Sequence, residues 1–286
     1  MTRLEAKKTT GAKGLIFSYV RHIPVLLWVV IVLFPLLMLL FASFKTNAEY
    51  ANTLPITPPE NFLNFENFKR TLIEGRILKG MLNSLILVAA ASVLNVLFSS
   101  MVAFCLDRFH FTAKKYVTLI LMATAVIPNS LIIVSVYKIM YTLKLTGTFG
   151  APVILYAIPQ MIQVWIYLQF LERVSVSLDE SAMLDGASYL RIFFQIIFPL
   201  LAPATVTVII TQSVFIYNDL FIQYLFMSSS KLQTATTALM TFSGQFNFNF
   251  NTMAAGCIGV MLPTLVIFLS LQKYIFAGLT VGAVKG

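Results

Sequence analysis

The chain has 286 residues, of which 58% are hydrophobic and only 11% charged, and its mean hydropathy is +0.86. A soluble core cannot hide that much apolar surface, so lipid must cover a large part of it. The formal charge of +9 does not point to nucleic acid, because the basic residues are scattered between apolar runs rather than gathered on one soluble face.

Crossing a hydrocarbon layer takes about 20 apolar residues per helix. Residues 24–44, 83–106, 151–171 and 254–271 carry no charge at all. Residues 116–141 carry only Lys138, and 196–226 only Asp219, the latter run long enough to tilt or break. The expected fold is therefore an all-α, polytopic bundle of six membrane helices. It has an N-terminal segment (1–23), a transmembrane domain (24–276) and a C-terminal tail (277–286). The first run is too long for the apolar core of a signal peptide and has no clear cleavage site after it, so it reads as a retained helix.

Arg3, Lys7, Lys8, Lys13 and Arg21 precede the first span, and Arg108, Lys114 and Lys115 crowd the link after the second. The positive-inside rule then places both segments, and with six spans the C-terminus too, in the cytoplasm. The long outer segment from Lys45 to Met81 holds five basic residues and runs against that bias, which its length accounts for. Within it, Pro55, Pro58 and Pro59 predict an irregular connection over 46–67 that sets span one apart from a compact bundle of spans two to six. Pro128, Pro159, Pro203 and Pro263 fall within spans and favour kinks, either for packing or for gating. Cys105 and Cys257 lie in apolar runs as small hydrophobes. His22 and His110 stand singly, so no metal is expected.

Between spans four and five, residues 177–195 form a segment unlike its neighbours. Ser177 and Glu180 have capping-box spacing, and Gly186 can take the left-handed conformation that stops a helix and turns the chain. A second short helix is expected from Ser188. Ser181 and Ala182 are small enough for close approach by another surface, and Met183, Leu184, Ala187, Tyr189 and Leu190 offer apolar contact. A plain amphipathic helix lying on the membrane is the other physical reading of the same residues.

Glu180-Ser181-Ala182, Gly186, Ile196 and Pro199 resemble, with matching spacing, the EAA loop of ABC importer permeases. Ser181 stands where Ala is usual, and Phe198 where Leu is usual. Asn83-Ser84, Tyr217-Asn218-Asp219 and the ending Gly278-Leu-Thr-Val-Gly-Ala-Val-Lys-Gly286 resemble the carbohydrate-uptake branch, closest to the six-span, type I maltose-type permease. The resemblance implies that Glu180, Ser181, Ala182, Asp185 and Gly186 form a coupling helix seated in a separate ATPase, which the tail residues Lys285 and Gly286 also reach. It implies a second permease subunit, two ATPase subunits that bind ATP and magnesium, and an extracytoplasmic solute-binding protein, all at a bacterial cytoplasmic membrane. It further implies that Gln245, Asn247, Phe248 and Asn249, in an alternating amide–aromatic link, meet the binding protein.

Asp219 is costly in lipid, about 2.5–3.5 kcal/mol on insertion scales, so it should face the interior, a partner or water. Asn218 and Gln212 suit interhelical hydrogen bonds. Gln160, Gln163, Trp165, Tyr217, Asn218 and Asp219 are candidates either for a solute pathway or for packing. No phosphate-binding loop and no catalytic constellation stands out, so the chain is expected to bind no cofactor and not to be an enzyme. The other classes open to such a sequence are an ion-coupled secondary transporter, for which only Asp219 is a candidate, an ABC importer of a non-sugar solute, and a membrane scaffold.

Overall fold

A computed structural model describes residues 12–243 and 249–280, with side chains over 22–128, 130–243 and 249–270. The described residues are helical, with no strand. In chain order the helices are α1 (Ala12–Phe44), α2 (Asn47–Asn52), α3 (Glu66–Ile73), α4 (Ile77–Arg108), α5 (Lys114–Val126), α6 (Asn129–Thr142), α7 (Gly150–Ala157) and α8 (Met161–Leu171). They continue as α9 (Ser177–Leu184), α10 (Tyr189–Ile192), a π turn (Phe193–Ile197), α11 (Phe198–Leu200), α12 (Ala202–Asn218), α13 (Phe221–Phe226), α14 (Ala235–Ala238), a 3₁₀ turn (Leu239–Phe242) and α15 (Phe250–Thr280).

Among the described residues three helices are long and apolar enough to cross a bilayer, 22–44, 77–108 and 250–270. Three bent pairs qualify together, which makes six if each pair is one span. The pairs bend where the prolines fall. Pro128 separates α5 from α6, Pro159 separates α7 from α8 with a bend of 43°, and a bend of 77° at Leu201 precedes Pro203 in the first turn of α12. Pro24, Pro35 and Pro263 lie inside continuous helices. The run 196–226 is thus not one helix: its chain enters from Tyr189, bends at Leu201, and is interrupted again at Asp219–Leu220 before α13.

The chain divides into two compact units, 1–71 with 242–258, and 72–241 with 259–286. In the first, α1 exposes apolar side chains on every side from Val25 to Phe34, the mark of a helix solvated by lipid. The segment after it is more ordered than its prolines suggest. Thr46 caps α2 by accepting the Glu49 amide at 3.1 Å. Asn67 donates to the carbonyls of Ser43 and Lys45 at 2.9 and 2.8 Å, and Asn251 donates to Lys45 O at 3.0 Å. Two buried amides thereby satisfy the carbonyls that the end of a helix leaves without partners.

In the second unit α4 is the central post, packed against α7, α8, α12 and α14. Its main core joins Phe104, Tyr167, Leu171, Ile192, Phe193, Ile197, Leu201 and Val208, all buried. At the other end of α4, Gly80 lies under the backbone of residue 234; a Cβ there would meet Thr234 O at 2.8 Å. That close approach lets Asn83 donate to the carbonyls of Lys231 and Gln233 at 3.1 and 2.8 Å, and lets the Ser84 hydroxyl accept the Ala235 amide at 2.9 Å. Asn83-Ser84 is therefore a clamp on the link before α14.

Candidate functional site

The α9–α10 loop is built from its own short-range chemistry. Its first turn begins earlier than the capping-box spacing predicts: the amides of Asp179 and Glu180 both bond Val176 O, at 3.0 and 3.1 Å. Ser177 is thus already inside the helix, and its hydroxyl pairs with Ser175 Oγ at 2.8 Å instead of capping. Gly186 has φ +80° with nothing near its Cβ position, so glycine is needed there for backbone conformation alone. The Ala187 amide reaches back to Ala182 O at 2.9 Å. Ser188 then caps α10, in extended backbone, by accepting the Arg191 amide at 3.4 Å.

Helical spacing divides α9 into two faces. Asp179 and Ala182 point into the unit and are buried, Ala182 within the main core. The expectation that Ala182 offers a close approach to another surface is corrected: its neighbour is its own bundle, one turn from Asp179. Glu180, Ser181, Leu184, Asp185 and Gly186 are exposed, Leu184 at 89%, and Tyr189 is exposed with its ring edge-on to Phe109 at 4.8 Å. The exposed residues form one continuous knob of carboxylates, small residues and aliphatic side chains.

What holds the knob is a pair that no sequence pattern joins. Arg108, the last residue of α4, brings Nε to 2.6 Å from Asp179 Oδ2, with both side chains nearly buried. Its other nitrogens bond Asp107 Oδ2 at 2.6 Å and Val174 O at 2.8 Å. The contact with Asp179 is one of charge rather than an aligned hydrogen bond, and Asp179 has no other donor. One guanidinium therefore fixes the start of the loop to the end of α4.

A second polar cluster arises from the break at Pro159. The helix stops at Ala157, just before Pro159, which leaves the carbonyls of Tyr156 and Ile158 without helical partners. Asn95 donates to both, at 3.0 and 3.2 Å, and Gln212 donates to Tyr156 O at 3.1 Å. Gln212 in turn accepts from Gln163 at 2.9 Å. Gln163 and Gln212 are buried, so Gln163 serves packing. Next to them the Tyr156 hydroxyl donates to Asp219 Oδ2 at 2.8 Å, while Asp219 Oδ1 accepts the Ile222 amide at 3.1 Å. Thr236 donates to Asp219 O at 3.2 Å and to Gln223 at 3.3 Å. Asp219 thus sits where α12 ends, tied to α7, α13 and the residue before Thr237.

The chain matches the family described as "Binding-protein-dependent transport system inner membrane component" over residues 95–281. It belongs to that family. The matched region contains both the α9–α10 loop and the polar cluster. Among relatives of this permease family, the chain is 33% identical over 254 residues to the melibiose/raffinose/stachyose import permease protein MelC of Bacillus subtilis, covering 88% of this chain and 91% of that one. It is 30% identical to the arabinooligosaccharides transport system permease protein AraQ of Halalkalibacterium halodurans, over 90% and 92% of the two chains. It is 26% identical to the trehalose/maltose transport system permease protein MalG of Thermococcus litoralis, over 91% and 94%. A chain from the crystal structure of a bacterial ABC transporter for import of the acidic polysaccharide alginate superposes with TM-score 0.77 at 18% identity, covering 93% of this chain and 99% of that one. That likeness shows the fold alone, while the family match and the import-permease relatives make the chain a multi-pass membrane permease of the ABC importer type.

The remaining sequence-level candidates in this family member separate clearly. Tyr217 is buried, with its hydroxyl on Val260 O at 3.2 Å, and Asn218 is exposed but bonds back to Val214 O at 2.8 Å. Trp165 is 53% exposed. Gln160 and Asp219 line the same cavity. Asn249 caps α15, its Oδ1 accepting the Thr252 amide at 3.1 Å. Gln245, Asn247, Phe248, Lys285 and Gly286 lie outside the described residues. Arg108, Asp179 and Asn95 were missed; the first two read as ordinary membrane-edge charges, and nothing in the sequence links positions 71 residues apart.

Proposed function

We propose that this chain is one of two different transmembrane subunits of a binding-protein-dependent, ATP-driven sugar importer, and that the knob around Glu180–Gly186 couples it to a separate ATPase. The observation that carries this reading is the loop itself. An exposed, compact helix–glycine–helix is seated on a buried guanidinium, an arrangement suited to taking load from a docked protein. A helix lying on lipid would instead need an apolar outer face, whereas Glu180, Ser181 and Asp185 are exposed on this one.

In this reading the N- and C-termini are cytoplasmic, in a bacterial cytoplasmic membrane. ATP and magnesium bind two ATPase subunits, a second permease subunit supplies the other half of the pathway, and an external solute-binding protein delivers the cargo. The cargo class rests on relatives named for import of raffinose, arabino-oligosaccharides and trehalose or maltose. A secondary transporter is disfavoured because, among the described residues, Asp219 is the one charged side chain at a break within the apolar spans.

Affinity-tagged chain, expressed with the products of its neighbouring genes, should co-purify with an ATPase subunit; its absence from the purified assembly sinks the proposal. Glu180→Lys and Gly186→Val should leave the chain in the membrane while separating ATP hydrolysis from uptake. Unchanged uptake in both variants refutes the role given to the loop. Uptake of labelled raffinose, trehalose and arabinotriose tests the cargo class.

A further inference from the structure

Three of the helix interruptions of the second unit meet at one cavity. Ile127 at the end of α5, Ile158 and Gln160 around Pro159, and Asp219 between α12 and α13 all line a space of about 430 Å³. Within a bilayer, broken helical backbone is tolerated where it is buried in protein or borders a water-filled cavity. Discontinuous helices are also where transport proteins gather polar contacts for solutes. A volume of this size suits a small ligand or one residue of a larger one.

Apart from Thr124, whose hydroxyl is bonded to Leu121 O at 2.6 Å, the cavity wall is aliphatic except on one side. There the Asp219 carboxylate accepts two hydrogen bonds, from Tyr156 and from the Ile222 amide. A carboxylate offers about four acceptor positions, and among the described residues no lysine or arginine pairs with Asp219. The Gln160 side-chain amide makes no hydrogen bond among the described residues and is half-buried at the same wall. Phe215 adds an aromatic ring that is 47% exposed and stands edge-on to Tyr156, with centroids 6.2 Å apart.

A free acceptor, a free amide and an open aromatic ring converge here, and each excludes a different occupant. An acyl chain would leave the carboxylate and the amide dry and unpaired, which is costly. A lone metal cation would have no use for the ring or the amide donors. A neutral ring carrying both C–H faces and hydroxyls uses all three: hydroxyls donate to Asp219 and exchange hydrogen bonds with Gln160, while a C–H face lies on Phe215.

We propose that this subunit itself contacts the transported solute, with Asp219 and Gln160 as hydrogen-bond partners and Phe215 as the platform for one sugar ring. Tyr156 is then a positioning residue that aims Asp219. The inference rests on the sugar-import reading above.

The test uses the intact assembly with its binding protein, in lipid nanodiscs and in cells, in a Cys105→Ser, Cys257→Ser background. Thr124→Cys, on the cavity wall, serves as a reporter for a methanethiosulfonate reagent. The probe is whichever of raffinose, trehalose or arabinotriose the parent assembly takes up. During turnover that sugar should slow modification of the reporter several-fold, and Asp219→Asn should abolish the protection. Asp219→Asn and Phe215→Ala should each lower uptake about tenfold, the scale of one lost charge-assisted hydrogen bond or ring contact, with the amount of assembled complex checked by pull-down. Variants that assemble and take up the sugar like the parent, with a reporter that sugar does not protect, overturn this inference while leaving the importer reading standing. Protection by added phospholipid but not by sugar assigns the cavity to an acyl chain and also overturns it. A parent that takes up none of the three sugars overturns the sugar reading and this inference with it.

Discussion

The two ends of the Arg108–Asp179 contact are not equivalent, and that asymmetry is measurable. Arg108→Ala leaves Asp179, whose side chain is 6% exposed, with no other donor. Breaking a buried pair so as to strand one charge costs about 3–5 kcal/mol. The reverse change, Asp179→Ala, strands no charge: the Arg108 Nε–H is left without a neighbour, but the guanidinium keeps Asp107 at 2.6 Å and the Val174 carbonyl at 2.8 Å. Its cost is the lost contact alone, about 1–2 kcal/mol. The difference, about 2 kcal/mol, corresponds to roughly a 30-fold difference in the population of the locally opened loop. Hydrogen exchange at the α9 amides of the purified assembly reads that population directly. Both variants should exchange faster than the parent, Arg108→Ala by the larger factor, and an apolar pair, Arg108→Met with Asp179→Leu, should recover much of the protection. Equal exchange in the two single variants, or faster exchange in Asp179→Ala, would refute the assignment of Arg108 as the shared anchor.

Four other positions give further tests. Gly80→Ala would place a Cβ 2.8 Å from the Thr234 carbonyl; the backbone must shift, at about 1–3 kcal/mol, and a lowered Tm of the assembly is expected, an unchanged one ruling out the close approach. Gly186→Ala meets no atom within 4 Å but must hold φ +80°, so it should cost about 1–2 kcal/mol of backbone strain, with Gly186→Asn milder; loop exchange rates that rank Asn above Ala would contradict this. Asn95→Leu removes the donor to Ile158 O and one of two donors to Tyr156 O, a loss of about 1–3 kcal/mol that a thermal-unfolding scan should detect, whereas Cys105→Ser, at an exposed free thiol, should leave the Tm in place.

The spans and the glycine stop were legible because both are one-dimensional signals: apolar run length reports lipid, and a glycine after a short helix reports a left-handed turn. The interruptions were legible in part. Pro128 and Pro159 coincide with breaks, yet Pro24, Pro35 and Pro263 sit in continuous helices, because whether a proline breaks a helix depends on what satisfies the carbonyl it frees. At Pro159 the chain breaks where the open carbonyls of Tyr156 and Ile158 are met by Asn95 and Gln212, two amides on other helices. The same limit explains Ser177. Its spacing to Glu180 is correct for a cap, but Ser175 and Val176 already turn, and helix starts shift by a residue for reasons of packing. Arg108–Asp179 is a contact between sites far apart in sequence, and single-sequence patterns carry no information of that kind.

The π turn at Phe193–Ile197 has a consequence for how such loops vary. Its Phe198 amide reaches back five residues to Phe193 O, so it accommodates one residue more than an α-turn. That extra residue sets the rotational phase between the knob and the membrane helix: Ile192 and Ile197, five apart, are both fully buried, while Tyr189 and Leu190 still look outward. Deleting one of the turn's buried residues would turn the knob by about 100° relative to the bundle without removing any side chain of the knob. Length at this point is therefore under stricter control than identity, and relatives should tolerate exchanges within the turn far better than insertions or deletions.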